Sequence, residues 1–223
     1  MPYLIAYHMV YPIGKRIIPP IYKLWLRKVT GLENVPRDRP FIIATNHSSY
    51  YDTLLVPTII IPNTNKKLHA WVDSAYWNIS FTKFFLNMWE CIPVYIERQK
   101  NAKEKNKQAF KKALSYLKKG DLIMIFPEGK RNADGKLSKG YTGIAKLALA
   151  SKAPVLPIGI IGANKVLPKG KFFPRFKKCE VKIGKLMYFN NYYNKKINDK
   201  ILEDVTRSIM KEIAKLIGQK YNY

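Results

Sequence analysis

From residue 29 onward, short apolar runs alternate along the chain with longer segments whose apolar residues recur at helical spacing. The short runs are rich in β-branched and aromatic residues and predict strands at residues 40–45, 67–72, 92–96, 121–126, 154–161 and 178–183. The longer segments predict helices near residues 50–60, 74–88, 101–119, 141–151 and 198–218. This alternation predicts an α/β fold, with a largely parallel sheet flanked by helices.

Residues 1–28 follow a different pattern, in which aromatic and aliphatic residues are interspersed with Lys and Arg. A break at Pro12 and Gly14 divides this segment into two predicted amphipathic helices, and Pro19 and Pro20 interrupt the second one. Aromatic side chains beside basic ones suit the headgroup level of a bilayer, so we predict a membrane-associating two-helix motif. A helical pair packed on the domain is the other interpretation, and both can hold. One α/β domain over residues 29–223 is expected to follow.

The charge balance is strongly basic, with 40 Lys and Arg against 15 Asp and Glu and a formal net charge of +25. This implies an anionic partner: a nucleic acid, an anionic membrane, a phosphorylated substrate or an acidic carrier protein. The two cysteines, Cys91 and Cys179, are too few for a disulfide framework and lack metal-site spacing, so they are predicted to be reduced.

Signal peptides and membrane-spanning segments can be recognised in a sequence and indicate the cellular location of a protein. The N-terminus lacks the basic start and the cleavage site of a signal peptide, so a cytosolic setting is expected. No uninterrupted apolar run reaches the ~18–20 residues that span a bilayer. The chain is therefore expected to be peripheral, lying on the cytoplasmic face of a membrane without crossing it.

Two further basic segments carry apolar residues. Residues 99–119 place many lysines around an apolar stripe and predict an amphipathic helix. Its basic face is either solvated or a docking face for an acidic carrier or lipid. Residues 165–178 surround Phe172, Phe173 and Phe176 with basic residues, which indicates a membrane or substrate rim.

His47 and Asp52 follow the predicted strand at residues 40–45. In a continuous helix, a separation of five residues is a turn of about 140°, which keeps two side chains apart. They can meet only if His47 lies in the loop before the next helix and Asp52 in its first turn, with Ser48 or Ser49 as the N-cap. Asp52 would then fix the tautomer of His47 and leave its other ring nitrogen to act as a general base. Backbone N–H groups at the start of this helix are candidate oxyanion donors.

The block Phe-Pro-Glu-Gly-Lys-Arg also follows a predicted strand, and it carries Glu128, Gly129, Lys130 and Arg131. The glycine lets the backbone come close to a ligand. The lysine and the arginine can bind a phosphate, and the glutamate can position a hydroxyl or orient an arginine. Arg98 ends a further predicted strand, and we expect it to converge on the same anion.

Four blocks, in this order, resemble the 1-acyl-sn-glycerol-3-phosphate acyltransferase family of glycerolipid acyltransferases. They are the His–Asp block at 46–52, the arginine-ended strand at 92–98, the Phe-Pro-Glu-Gly block at 126–131 and the Val-Leu-Pro strand at 153–159. The resemblance covers roughly residues 28–185. The chain departs from the family pattern at Asp73, where many members have lysine, at Cys91, where glycine is usual, and at Asn132, where serine is frequent.

The resemblance implies transfer of a fatty acyl group from a thioester to the sn-2 hydroxyl of 1-acyl-glycerol-3-phosphate, giving phosphatidic acid. His47 would be the general base and Asp52 would orient it. The residues implied to hold the phosphate and glycerol of the acceptor are Arg98, Glu128, Gly129 and Arg131. The donor would be acyl-CoA or an acyl carrier protein, and no metal or bound cofactor is required. The implied partners are a lysolipid and an anionic membrane surface, and not nucleic acid.

Three alternatives remain open. Within the family, the acceptor could instead be glycerol-3-phosphate or another lysolipid. A non-enzymatic basic protein that binds nucleic acid or membrane would explain the charge but leaves the ordered blocks to coincidence. A serine hydrolase that uses His47 would need a nucleophile elbow, and the sequence has no Gly-x-Ser-x-Gly.

Overall fold

A seven-stranded sheet forms the centre of the fold. The structure is a computed structural model that describes residues 20–95 and 99–223. The strands in chain order are β1 (Leu26–Thr30), β2 (Ile42–Thr45), β3 (Leu68–Asp73), β4 (Ile92–Val94), β5 (Leu122–Ile125), β6 (Val155–Ile161) and β7 (Cys179–Ile183). Across the sheet they lie in the order β1-β7-β6-β2-β5-β3-β4, and each neighbouring pair is parallel except β6 and β7.

Helices cover both faces of the sheet. They are α1 (Tyr51–Thr64), α2 (Ser80–Met88), α3 (Ala102–Lys118), α4 (Gly143–Ser151), α5 (Ala163–Val166) and α6 (Asp199–Ile217), with short 3-10 turns at Leu32–Asn34, Ser74–Asn78 and Asn190–Tyr192. Alternation along β2 divides the core: Ile42 packs with α3, α4 and α6, whereas Ile43 packs with α1 and α5. The predicted α/β class, with its largely parallel sheet flanked by helices, is confirmed.

The predicted elements differ from the observed ones mainly at their ends. Helix α1 continues past two prolines to Thr64, where Asn65 adopts a left-handed conformation with φ of 53° and ends it. Its N-cap is Tyr50 rather than a serine. The helix predicted near residues 74–88 is a 3-10 turn followed by α2, because Ile79 between them is extended, with φ of −103° and ψ of 116°. Asp73 caps the turn by accepting the N–H of Ala75 at 2.9 Å.

The N-terminal boundary needs correction, because the segment predicted to be helical up to residue 28 contains the start of β1. Leu26 and Val29 pack against the core on the α1 face, and β1 pairs in parallel with β7. The ladder with β7 shows a strand here, and its register shift between Leu26 and Lys28 lets two residues three apart pack on the same side. Residues 1–19 lie outside the described residues, so the two-helix motif stays a prediction.

Two expectations about composition can be compared with the structure. In the part of the chain that the structure describes, no helix combines the length and apolar character needed to cross a bilayer. Cys91 and Cys179 are both buried free thiols. Burial raises the pKa of Cys91 to about 11 and that of Cys179 to about 12, so both stay protonated at neutral pH.

The close approach of the turn after β1 to the end of β7 predicts a strong effect of Gly31→Ala. Gly31 has a φ of 79°, and a Cβ there would lie 2.0 Å from the carbonyl oxygen of Ile183. The backbone must move, so the free energy of unfolding should fall by more than about 2 kcal/mol in chemical denaturation. Gly170 is the matched control, with a φ of 78° and open space around it. Gly170→Ala should cost only about 1 kcal/mol, and equal losses in the two variants would contradict the importance of this approach.

Candidate active site

The carboxyl ends of the central strands bring the two chemically interesting blocks together. β2 and β5 are parallel neighbours, with Ala44 paired to Ile125. His47 follows the end of β2 by two residues, and Phe126 follows β5 directly. Ligands of open parallel sheets bind outside the carboxyl ends of the strands. The topology therefore places the candidate site at this edge of the sheet.

His47 and Asp52 occupy the positions that helix geometry requires, with His47 in the loop after β2 and Asp52 in the first turn of α1. The Nδ1 atom of His47 lies 3.2 Å from Oδ2 of Asp52. The imidazole stacks on Phe126, with ring centroids 3.9 Å apart. Asp52 is fully buried, whereas 13% of the His47 side chain is exposed and faces a cavity. With Nδ1 directed at the carboxylate, Nε2 is the nitrogen left for a ligand.

The carboxylate of Asp52 also organises the turn before α1. Its Oδ2 atom accepts the backbone N–H of Ser48 at 2.7 Å and that of Ser49 at 2.8 Å. The Ser49 hydroxyl accepts the N–H of Tyr51 at 3.1 Å and donates to the carbonyl of Leu167 at 2.7 Å. The prediction that backbone N–H groups here serve as oxyanion donors is wrong for Ser48 and Ser49, because both of these N–H groups already donate to Asp52. The engaged Ser49 hydroxyl is equally unsuited to be the nucleophile of a hydrolase.

The sequence analysis expects Glu128 to contact the substrate. In the structure its side chain is buried instead, with only 1% exposed. Its Oε1 accepts the backbone N–H of His47 at 2.9 Å. Its Oε2 accepts the backbone N–H of Ser138 at 2.8 Å, the Ser138 hydroxyl at 3.2 Å and the side-chain amide of Asn132. The backbone N–H of Asn132 in turn donates to the carbonyl of His47 at 2.8 Å. Glu128 therefore fastens the loop after β5 to the loop after β2.

Arg131 provides a cation near His47. Its guanidinium carbon lies 3.3 Å from the centre of the Tyr50 ring, and the Tyr50 hydroxyl is 2.9 Å from that of Tyr76. Burial, together with this hydrogen bond, raises the pKa of Tyr76 to about 12, so its hydroxyl is neutral at physiological pH. Stacking engages the face of the guanidinium and leaves its N–H edge available to an anion.

Gly129, in the loop after β5, allows the backbone to lie close to the ring of Tyr141. Its φ is 64°, and a Cβ would lie 2.9 Å from the ring of Tyr141. The backbone and this ring are therefore closer than any other residue type allows. Gly129 and Tyr141 both line the cavity, together with His47 and Arg131.

The cavity has a volume of about 1420 Å³ and a largely apolar wall. Its basic rim includes Lys130, Arg131 and Lys169. The apolar wall includes Leu54, Ile61, Trp71, Phe85, Leu86 and Val94. Within residues 20–95 and 99–223, no group of three His, Cys, Asp or Glu side chains is placed to hold a metal ion. The lining thus combines His47 with cations that can bind an anion and with a largely apolar wall.

Three further residues that the sequence analysis named are Arg98, Asp73 and Asn132. Arg98 lies outside the described residues. Asp73, which replaces the frequent lysine, lines the cavity and also caps the turn that follows β3. Asn132 bridges the backbone of His47 and the carboxylate of Glu128. Sequence reasoning missed this bridge and the stacking of Phe126, because a polar residue after a turn and an apolar residue ending a strand carry no distinctive signal.

An α/β sheet with a His–Asp pair at its carboxyl edge, beside an apolar cavity with a basic rim, defines the class of protein. Residues 26–161, more than half of the chain, match the Acyltransferase family. The chain belongs to that family.

Individual relatives carry a more specific name. The chain is 29% identical over 177 residues to a 1-acyl-sn-glycerol-3-phosphate acyltransferase of Pseudomonas aeruginosa, an alignment that covers 75% of this chain and 64% of that protein. It is 26% identical over 151 residues to a chloroplastic enzyme of the same name from Brassica napus, covering 67% of this chain and 41% of that protein. The chain thus spans less than two thirds of the length of these relatives.

A solved structure supports the fold. The 1-acyl-sn-glycerophosphate (LPA) acyltransferase PlsC from Thermotoga maritima matches with a TM-score of 0.65 and 20% identity, covering 99% of this chain and 89% of that chain. At this identity the likeness establishes the architecture only.

The buried carboxylate of Glu128 predicts a specific pH dependence of stability. Burial raises the pKa of Glu128 above its usual value, partly offset by the hydrogen bonds from His47, Ser138 and Asn132. A carboxyl with a raised folded-state pKa contributes stability that is fully present below the unfolded pKa of about 4.3 and is lost as the pH rises through the folded pKa.

We therefore compare the free energies of unfolding of the parent and Glu128→Gln, whose amide does not titrate. The parent minus variant difference should be largest at about pH 4 and should decrease as the pH rises through the folded-state pKa of Glu128. Urea unfolding at several pH values checks this. A difference that does not vary between pH 4 and 7.5 would contradict the raised pKa.

Proposed function

We propose that this chain transfers a fatty acyl group from a thioester to the sn-2 hydroxyl of 1-acyl-glycerol-3-phosphate, forming phosphatidic acid. The observation that carries the proposal is the His47–Asp52 contact of 3.2 Å at the wall of the cavity. The names of the relatives in P. aeruginosa and B. napus support the choice of acceptor.

In this mechanism His47 is the general base. Its Nε2 takes the proton of the acceptor hydroxyl, and the hydroxyl oxygen forms a bond to the thioester carbonyl carbon. When the tetrahedral intermediate collapses, the C–S bond breaks and the leaving thiolate receives the proton from His47. The base is then regenerated, and the products are an ester and a thiol. Asp52 holds Nδ1 in the donor tautomer and stabilises the imidazolium that forms between the two transfers.

The position of the imidazole depends on two supports beyond Asp52. The Phe126 ring lies against one face of the imidazole. Glu128 fixes the backbone of His47 through its N–H. We propose that Glu128 is a positioning residue, since its buried carboxylate has no open edge for the acceptor.

The phosphate of the acceptor is proposed to bind at the basic rim. Arg131 offers its N–H edge there, Gly129 allows the backbone to approach, and Lys130 and Lys169 add charge. Arg98 retains its predicted role as a further phosphate ligand.

The acyl chains are proposed to lie against the apolar wall. At about 1420 Å³ the cavity exceeds the roughly 300–1,000 Å³ usual for small-molecule sites, which suits a lipid. The donor is acyl-CoA or an acyl carrier protein, both anionic and compatible with the charge of +25. The enzyme would work as a peripheral protein at the cytoplasmic face of a membrane. An assay that offers lysophosphatidic acid, other lysolipids and glycerol-3-phosphate against both donors decides acceptor and donor.

His47→Ala should reduce kcat for thioester-dependent acyl transfer by roughly 10²–10⁴-fold, because general-base catalysis of this kind is worth about that factor. Release of the free thiol from an acyl donor, followed with and without lysophosphatidic acid, measures the reaction. The thermal unfolding of the variant should stay close to that of the parent, since the imidazole is partly exposed. Acyl transfer at the parent rate would show that the assignment is wrong.

Arg131→Gln should raise KM for lysophosphatidic acid by about tenfold or more, since a charge-assisted hydrogen bond to phosphate contributes on the order of 1.5–3 kcal/mol. Lys136→Gln is the matched control, because Lys136 is an exposed cation a few residues away that does not line the cavity. Its KM should stay at the parent value. An equal rise in both variants would indicate a general charge effect rather than a phosphate contact.

A further inference from the structure

The loop between α5 and β7, residues 167–178, exposes three phenylalanines and is called the phenylalanine loop below. The exposed fractions are 92% for Phe172, 85% for Phe173 and 105% for Phe176. Single exposed apolar residues are ordinary on protein surfaces, whereas a cluster of large ones marks a surface that contacts something else. These three side chains are therefore candidates for an interaction that the described residues do not provide.

The loop is anchored at several points, so its phenylalanines are held outward by a fixed backbone. The backbone N–H of Arg175 donates to the carbonyl of Val166 at 2.7 Å, and that of Lys171 donates to Pro168 at 3.1 Å. Ser49, between His47 and Asp52 in sequence, donates its hydroxyl to the carbonyl of Leu167 at 2.7 Å. The exposure of the rings is thus set by the fold.

The charge of the loop and its surroundings identifies the kind of partner. Between residues 165 and 178 the sequence has six Lys or Arg and no Asp or Glu. No acid among the described residues lies within ion-pair distance of these cations. Phenylalanines interleaved with uncompensated cations match the two parts of an anionic lipid surface, which are an apolar layer and negatively charged headgroups.

The neighbours of the loop extend the same surface. The ammonium group of Lys178 donates to the carbonyl of Leu24, and Leu24 and Ile21 are 62% and 47% exposed. This is the point at which the chain continues toward the predicted membrane-associating segment. Lys169 of the loop also lines the cavity. The loop therefore contacts Leu24 through Lys178 and lines the cavity through Lys169.

We propose that the phenylalanine loop is a membrane-insertion element that places Phe172, Phe173 and Phe176 in the interfacial layer of an anionic bilayer, with its cations on the headgroups. Insertion would set the cavity rim at the lipid surface, where a lysolipid acceptor resides. This last consequence rests on the proposed function, while the membrane contact itself does not.

The test measures binding of the full chain to vesicles of phosphatidylcholine and phosphatidylglycerol. Serine substitution of all three phenylalanines should weaken the partition coefficient by about tenfold or more, because three large apolar side chains lose their transfer from water. Ile197→Ser is the matched control, since Ile197 is 46% exposed on the segment before α6. It should bind like the parent, and all three proteins should show the same thermal unfolding.

A second measurement reports the depth of insertion directly. A tryptophan placed by Phe173→Trp should be quenched by lipids brominated in their acyl chains, beyond the quenching of the parent, whereas Ile197→Trp should add none. Parent-like binding of the triple serine variant, or an unquenched Phe173→Trp, would overturn the proposal. A self-association in sedimentation velocity that disappears in the triple variant while vesicle binding stays unchanged would overturn it too, and would assign the loop to a second copy of the chain.

Acyl transfer distinguishes this inference from the proposed function. With a short-chain, water-soluble lysolipid the triple serine variant should keep the parent rate, because the substituted side chains lie outside the cavity lining. His47→Ala should bind vesicles like the parent. Loop-independent binding with intact transfer overturns only the membrane element, and loop-dependent binding without transfer overturns only the enzyme assignment.

Discussion

The buried carboxylate of Glu128 is the contact on which the geometry of the site depends. Parallel pairing of β2 with β5 delivers two loops to the same edge of the sheet, but strand register does not fix the loops relative to each other. Glu128 does so by accepting the N–H of His47 on one oxygen and that of Ser138 on the other. The sequence predicts that Glu128 contacts the ligand, but in the structure Glu128 is part of the scaffold that holds the histidine.

Two buried carboxylates in a chain with a net charge of +25 define the polarity of the site. Burying an acid is unfavourable unless hydrogen bonds replace its hydration. Asp52 receives the N–H groups of Ser48 and Ser49, and Glu128 receives those of His47 and Ser138. The two acids of the site are therefore buried behind the loops that carry His47, while Lys130, Arg131 and Lys169 line the cavity.

Short apolar runs and helical spacing predicted the six strands from residue 40 onward and the α/β class, because the central strands of a parallel sheet are buried on both faces. The His47–Asp52 contact was also predictable, since helix geometry allows only one way for residues five apart to meet there. β1 was missed because a short strand at the sheet edge resembles the end of an amphipathic helix in sequence. The roles of Glu128 and of the N–H groups after His47 depend on hydrogen bonds between distant loops, which no local pattern encodes.

Ser49 connects the turn that carries His47 to the phenylalanine loop, two segments that are far apart in the sequence. Its backbone N–H is fixed by Asp52, the residue that also holds His47, and its hydroxyl is bonded to Leu167 at the start of the phenylalanine loop. The two bonds are short, at 2.8 and 2.7 Å, and they connect the loop that presents three phenylalanines to the turn that presents the imidazole. Local hydrogen bonds consequently connect the position of the histidine to that exposed apolar surface, and they add to the direct packing of α1 on α5.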